Sequence, residues 1–313
     1  MRAQTVIWSL IAATGVIDGI LLATQGMTVG AKWPAVTLLG LLWGTAVMFR
    51  RIPSISLLLV SISQICAFTH IGAILTYAAT AASPFPLADS LLSRADNAIG
   101  FNWPAWFDFI NANPRLHSVL AYAYLSASAQ VFALLFYFSY ADGNRVHEVI
   151  LAGILSILLI VPIMVLLPAL GAWSQYGIGM AQPWRHDILG LRAHTLVEIG
   201  ETVGIVSFPS FHTVLAVLFI NMARGRTWFV PALILNLLMI ASVPTEGAHY
   251  GVDVVSGLAV AFVALAVTRC VLARCSGSVA PVASEAASTD VFGVARPSAI
   301  RQSIPTVGNG PAR

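Results

Sequence analysis

Long apolar runs dominate the chain, broken by short polar links. They lie near residues 5–24, 33–49, 54–80, 118–140, 148–170, 208–223, 227–243 and 250–272. A helix that crosses a bilayer needs about 20 predominantly apolar residues, so the pattern predicts about eight membrane helices, two of them short. Two stretches, 81–117 and 171–207, break the pattern. The first contains "LADSLLSRADNAIGFNWPAWFDFINANPRLH", which mixes apolar and polar residues at near-helical spacing and carries aromatics around Trp103 and Trp106. That pattern predicts interfacial helices in the headgroup layer; a lid that merely covers the bundle is the plainer alternative. From Ser276 onward the chain is rich in Ser, Ala, Pro and Gly and predicts a disordered tail. The expected fold is all-α: a polytopic membrane helix bundle over residues 1–275 and a tail over 276–313.

Composition sharpens this reading. Of 313 residues, 58% are hydrophobic and only 9% charged. Soluble domains carry roughly a quarter charged residues, so a soluble enzyme is excluded. A net charge of +3 gives no reason to expect a nucleic-acid partner. The opening run, with one Arg before a long apolar stretch, reads as a retained first span rather than a cleaved signal. The positions of the basic residues matter more than their sum. With a cytoplasmic N-terminus, the inner loops hold Arg2, Arg50, Arg51, Arg145, Arg224, Arg226, Arg269 and Arg274, and the short outer link holds only Lys32. The positive-inside bias therefore predicts both termini in the cytoplasm. Loops 81–117 and 171–207 and the turn 244–249 then share the opposite side, the periplasm in a bacterial inner membrane. Cys66, Cys270 and Cys275 match neither a metal site nor a disulfide framework. Asp18 and His70 fall within apolar runs, where charge is costly, and are expected to pair inside the bundle.

Three stretches on the outer side carry candidate chemistry. "WRHDILGLR" places Arg185 and Arg192 seven apart; "SFPSFHTVLAVLF" opens an apolar helix with Pro209, Ser210 and His212; "SVPTEGAHYGVD" holds His249 and Asp253. His and Asp four apart on a helix share a face, and the carboxylate can fix the imidazole tautomer and stabilise its cation. A helix opened by Pro-Ser offers free N–H groups and a positive dipole end. With two arginines the set reads as a phosphate site: a nucleophile, a proton donor and positive charge around the oxygens. Taken singly, each element has a plainer reading: an interfacial histidine, a capping serine, a solvated arginine. Their conjunction on one side of the bundle carries the inference.

The order Arg-x6-Arg, Pro-Ser-Phe-His, Ser-x6-His-x3-Asp resembles the type 2 phosphatidic acid phosphatase superfamily. That family's pattern is Lys-x6-Arg-Pro, Pro-Ser-Gly-His and Ser-Arg-x5-His-x3-Asp. Here Arg185 stands for Lys, Ala193 for Pro, Phe211 for Gly, and Val243 where the third-motif Arg belongs. "FPSFH", "HYGVDVVSG" and "GFNWPAW" are more similar to the inositolphosphotransferase branch, which holds the aureobasidin-resistance type of inositol phosphorylceramide synthase. The resemblance implies a six-helix phosphatase-like core with no metal or other cofactor. It implies His249 as the nucleophile, Asp253 as its orienting partner, and His212 as the acid that protonates the leaving oxygen. Arg185, Arg192 and a Ser210 backbone N–H would bind phosphate, with Arg94 or Arg115 as substitutes for the missing arginine.

The expected substrates are lipid phosphates or phospholipids in the bilayer. Water as acceptor would make the protein a phosphatase releasing inorganic phosphate; an alcohol such as inositol, ceramide or a glycolipid would make it a phosphotransferase. A non-catalytic lipid carrier is the third reading, and it predicts indifference to substitution of His249.

Overall fold

The structure, a computed structural model, describes residues 3–179 and 182–277. The expected tail lies almost wholly outside the described residues. Twelve helices follow in order: α1 (Ala3–Gln25), α2 (Trp33–Met48), α3 (Pro53–Ala82), α4 (Asp89–Ala98), α5 (Trp103–Asn111), α6 (Pro114–Ala141), α7 (Gly143–Leu166), α8 (Ala172–Gln175), α9 (Pro183–Arg192), α10 (Phe211–Ala223), α11 (Phe229–Glu246) and α12 (Gly251–Gly277).

Six of these, α1, α3, α6, α7, α11 and α12, are long and apolar enough to cross a membrane. The two short spans expected from the sequence are α2 and α10, with 16 and 13 residues. At 1.5 Å per residue these reach only about 24 and 20 Å, against a hydrocarbon core of about 30 Å. The apolar run at 208–223 is longer than its helix because Pro209 and Ser210 hold the chain extended until Phe211. α11 in turn reaches Glu246, so the link to α12 shrinks to residues 247–250.

α10 is the hub of the bundle, in contact with α6, α7, α11 and α12. α3 joins the other side, packing on α1, α2, α6 and α7. Between them Ile7, Phe68, Phe138, Ile150 and Leu151 form one buried cluster. Outward-facing Leu41, Leu125, Phe136, Ile234 and Phe262 are exposed, as expected for a surface solvated by lipid tails.

The all-α expectation holds, with one minimal strand pair added to the helices. Residues 28–29 (β1) and 198–199 (β2) form a two-residue parallel ladder, Thr28 opposite Glu198 and Val29 opposite Ile199. It ties the α1–α2 link to the segment before α10, and Lys32 Nζ adds a hydrogen bond to the Gly200 carbonyl. The expected pairing of Asp18 and of His70 inside the bundle does not form among the described residues. His70 is exposed and its Nδ1 bonds the Cys66 carbonyl of its own helix at 2.8 Å. Asp18 is buried with neither carboxylate oxygen hydrogen-bonded.

Candidate active site

The link between α11 and α12 turns sharply. Ala248 adopts φ 56°, and the chain re-enters a helix at Gly251. This places His249 just before α12 and Asp253 in its first turn. His249 Nδ1 lies 3.0 Å from Asp253 Oδ2 and 2.7 Å from the Ser207 carbonyl. A carbonyl and an ionised carboxylate only accept, so Nδ1 carries the proton and shares it between them. Nε2 is left with its lone pair and no hydrogen bond among the described residues. Asp253 is fully buried and also accepts the Tyr250 N–H at 2.9 Å.

Ser210 is the N-cap of α10, its side chain accepting the Thr213 N–H at 3.3 Å. Its own N–H donates to the Asp253 carbonyl at 3.2 Å, so this amide is engaged in joining α10 to α12. Among the described residues, the amides of Phe211 and His212 are the ones left free of hydrogen bonds at this helix start. A close approach of the two helices makes the junction possible: a Cβ on Gly257 would lie 2.6 Å from the Ser210 carbonyl oxygen.

His212 stacks on Tyr124 of α6, with ring centroids 3.9 Å apart and planes 19° from parallel. The Tyr124 hydroxyl borders Gly247, and Gly247 borders the His249 ring: a Cβ there would meet Tyr124 Oη at 3.0 Å and His249 Cδ2 at 2.6 Å. The two histidines thus flank one small volume. Beside it His117 Nε2 pairs with Glu246 Oε1 at 3.1 Å.

The arginines stand apart from this cluster. Arg185 is exposed on α9 and lines an open cavity of about 790 Å³ of mixed polar and apolar lining, with Trp173, Ser174, Gln182, His186 and Leu189. Arg192 donates from Nη2 to the Phe85 carbonyl at 2.6 Å, and its Nη1 is buried without a partner. Arg94 and Arg115 are exposed. No hydrogen bond or ion pair joins any of the four to His212, His249 or Asp253 among the described residues.

The residues that sequence reasoning missed lie in α4, in α5 and around α8. Asp96, fully buried, accepts the N–H groups of Gly251 and Val252 at 3.0 and 2.8 Å. It therefore caps α12 from another helix. Burial pushes its carboxyl above the ordinary range, and those two amides pull it back. Asp89 accepts the Leu170 and Gly171 amides and the Tyr250 hydroxyl, the last at 2.9 Å. Burial and that carboxylate push the Tyr250 phenol up. Trp103 Nε1 donates to the His249 carbonyl at 2.9 Å, and Trp173 Nε1 to the Thr245 carbonyl at 3.2 Å. Gly171, at φ 98°, lets the chain pass where a Cβ would sit 2.7 Å from the Ala248 carbonyl oxygen. The segment taken for interfacial helices or a lid is thus the frame around the histidine-bearing turn. The available signal was spacing: Asp89, Leu92 and Asp96 recur on one helical face, and that face is buried.

No curated protein and no solved structure matches the chain. The family model of the PAP2 superfamily matches residues 90–267, a span that begins in α4 and contains every residue of the His212, His249 and Asp253 cluster. With six membrane-type helices among the described residues, four of them within or overlapping that span, the match supports a phosphatase-type enzyme with lipid phosphate substrates in a bilayer. The chain belongs to the PAP2 superfamily.

Proposed function

We propose that the protein transfers or hydrolyses the phosphate or phospho-headgroup of a lipid through a phospho-histidine at His249. The observation that carries this reading is the pair of acceptors on His249 Nδ1, which leaves Nε2 as a nucleophile. In the first step the Nε2 lone pair forms an N–P bond as the P–O bond to the leaving group breaks. His212, as imidazolium, gives its proton to the leaving oxygen. Asp253 and the Ser207 carbonyl stabilise the positive charge that develops on His249. In the second step neutral His212 takes the proton of the attacking water or alcohol, an O–P bond forms, and the N–P bond breaks. The free amides of Phe211 and His212 and the α10 dipole suit the phosphate oxygens. Arg192 offers its idle Nη1, and Arg185 a cation at the rim.

Two finer readings follow the same geometry. The open cavity beside α9, with Arg185, His186 and Gln182 in its lining, has room for a headgroup or polyol acceptor, which favours transfer over hydrolysis and accords with the inositolphosphotransferase-like motifs. The arginine distribution supports an eight-helix bundle, completed by α2 and α10, with both termini in the cytoplasm and the histidines facing the periplasm or a lumen.

The test is a phosphorus-labelled lipid phosphate incubated with purified protein and quenched in base, with and without candidate alcohols. Label held on His249 and absent from His249→Ala supports the intermediate. Phosphate released without alcohol identifies hydrolysis; an alcohol-dependent product identifies transfer. Turnover persisting in His249→Ala would sink the reading.

A further inference from the structure

A second cavity, of about 430 Å³, lies between α3, α6, α7 and α10. Its α10 wall is Phe211, Leu215, Leu218, Phe219 and Met222, one face of the helix that carries His212. Its roof is the segment from Val203 to Val206, which runs into Ser207, the residue whose carbonyl holds His249. On α3 the lining descends from Thr76 to Gln64, a drop of about 18 Å at 1.5 Å per residue. The cavity is therefore a groove that starts at Val206 and Phe211, the residues flanking the Ser207–Ser210 turn, and runs deep into the bundle. Thr69 and Phe132 line it and are exposed, Phe132 at 54%, so the groove has a lateral mouth between α3 and α6.

One group at the deep end does not fit an apolar wall. Gln64 is 0% exposed, and among the described residues neither its Nε2 nor its Oε1 has a hydrogen-bond partner. Other amides in the bundle find one: Asn236 Nδ2 donates to Gln130 Oε1 at 2.9 Å, and Gln25 Nε2 to the Ala78 carbonyl at 2.8 Å. An amide idle on both atoms inside hydrocarbon is strongly unfavourable unless something brought to it completes the hydrogen bonds.

The geometry points to a chain-selective lipid site: one hydrocarbon chain of the substrate lies in this groove, and Gln64 hydrogen-bonds a hydroxyl carried far along that chain. A primary amide can donate to and accept from one hydroxyl. Placing the lipid's phosphate at the α10 start rests on the phosphotransfer reading above; the groove and its amide do not. The lateral mouth fits a chain arriving from the bilayer, and the length of the groove puts the hydroxyl well away from the head.

The experiment measures equilibrium binding of alkyl phosphates to the full-length chain in detergent. It uses His249→Ala protein so that nothing turns over, with turnover of the native protein measured separately. One ligand has a plain saturated chain; the others, of equal length, carry one hydroxyl at successive carbons from mid-chain to the end. One hydroxyl position is expected to bind about five- to tenfold tighter than the plain chain, the effect of one net hydrogen bond. Adding Gln64→Leu should abolish that preference while the plain chain binds at least as well. Adding Gly153→Phe should weaken both ligands about tenfold or more, because a Cβ on Gly153 meets nothing within 4 Å and the ring would fill the groove. Gly153→Leu is the smaller plug if the Phe variant does not fold. No preferred hydroxyl position, or a preference that survives Gln64→Leu, overturns the recognition. Unchanged binding in a folded Gly153 variant overturns the groove as the chain site. Loss of native turnover with these binding results intact would count against the catalytic reading alone.

Discussion

Gly247→Ala is a small substitution placed against the presumed nucleophile. Gly247 ends α11 at φ −99°, ψ 2°, a conformation open to alanine, so the backbone itself resists nothing. The added methyl would sit 2.6 Å from His249 Cδ2, 3.0 Å from Tyr124 Oη and 3.0 Å from the Val243 carbonyl oxygen. The Val243 carbonyl is helix backbone and does not move, so the ring must. Restoring van der Waals contact takes a shift of about 0.8 Å, and misplacing a reacting group by about 1 Å can cost 10²-fold in rate. The shift also stretches the bonds from Nδ1 to Ser207 and Asp253, 2.7 and 3.0 Å long. Overpacking of this kind destabilises by about 1–3 kcal/mol. The expected outcome is a fall in kcat of about a hundredfold, with KM changed much less and a folded protein in detergent. The assay is the initial rate of phosphate leaving a lipid phosphate. Gly179→Ala serves as control, since a Cβ there meets nothing within 4 Å. Gly247→Ala with a wild-type kcat would refute both the crowding and the placement of chemistry on His249.

Asp96→Ala strips two buried amides of α12 of their acceptor; at about 1–3 kcal/mol for each orphaned group, thermal unfolding should come several degrees earlier and turnover should fall, whereas exposed Arg94→Ala should change neither. Asp253→Asn should cut kcat strongly by removing the counter-charge of the imidazolium, read as slower formation of the phospho-enzyme in a rapid quench. His212→Gln should lose about a hundredfold or more on a lipid whose leaving group is a poor alkoxide, but much less on an aryl phosphate whose phenolate leaves unaided; equal losses in the two rates would remove His212 as the acid. For sidedness, a cysteine at exposed position 186 should react with an impermeant thiol reagent outside intact cells and one at position 51 should not, in a background lacking the native cysteines; the reverse pattern would invert the topology.

The apolar runs made the membrane helices legible because hydrocarbon leaves the backbone no partner but itself. The His249 and Asp253 pair was legible for a similar reason, since helical spacing is a local property. What stayed hidden depends on distant partners. Asp96 reads as one more charge on a polar segment until Gly251 and Val252, 155 and 156 residues away, supply its donors. Tyr124 is one of several tyrosines on α6, and only the fold puts it under the His212 ring. The seven-residue spacing of Arg185 and Arg192 suggested two similar roles. The structure separates them, because Arg192 turns toward the Phe85 carbonyl while Arg185 stays at the rim of a cavity. The β1–β2 ladder, two residues on each side, has no periodicity long enough to detect.

The carboxylates of α4 also bear on the order in which the molecule can be completed. The chain is made from its N-terminus, and Asp89 and Asp96 are in place long before Tyr250, Gly251 and Val252, more than 150 residues later. Contacts so remote in sequence close late, because the intervening chain must first be ordered. Until α12 arrives, Asp96 has water in place of the Gly251 and Val252 amides, Asp89 has only the Leu170 and Gly171 amides, and Asp253 has not yet joined His249. A nascent chain stalled before α12 would be a nearly finished bundle with an open, hydrated outer frame. Insertion of α12 then completes the anchoring of that frame and brings Asp253 to His249 in a single event, so on the proposed chemistry no partly assembled bundle acts on the surrounding lipids.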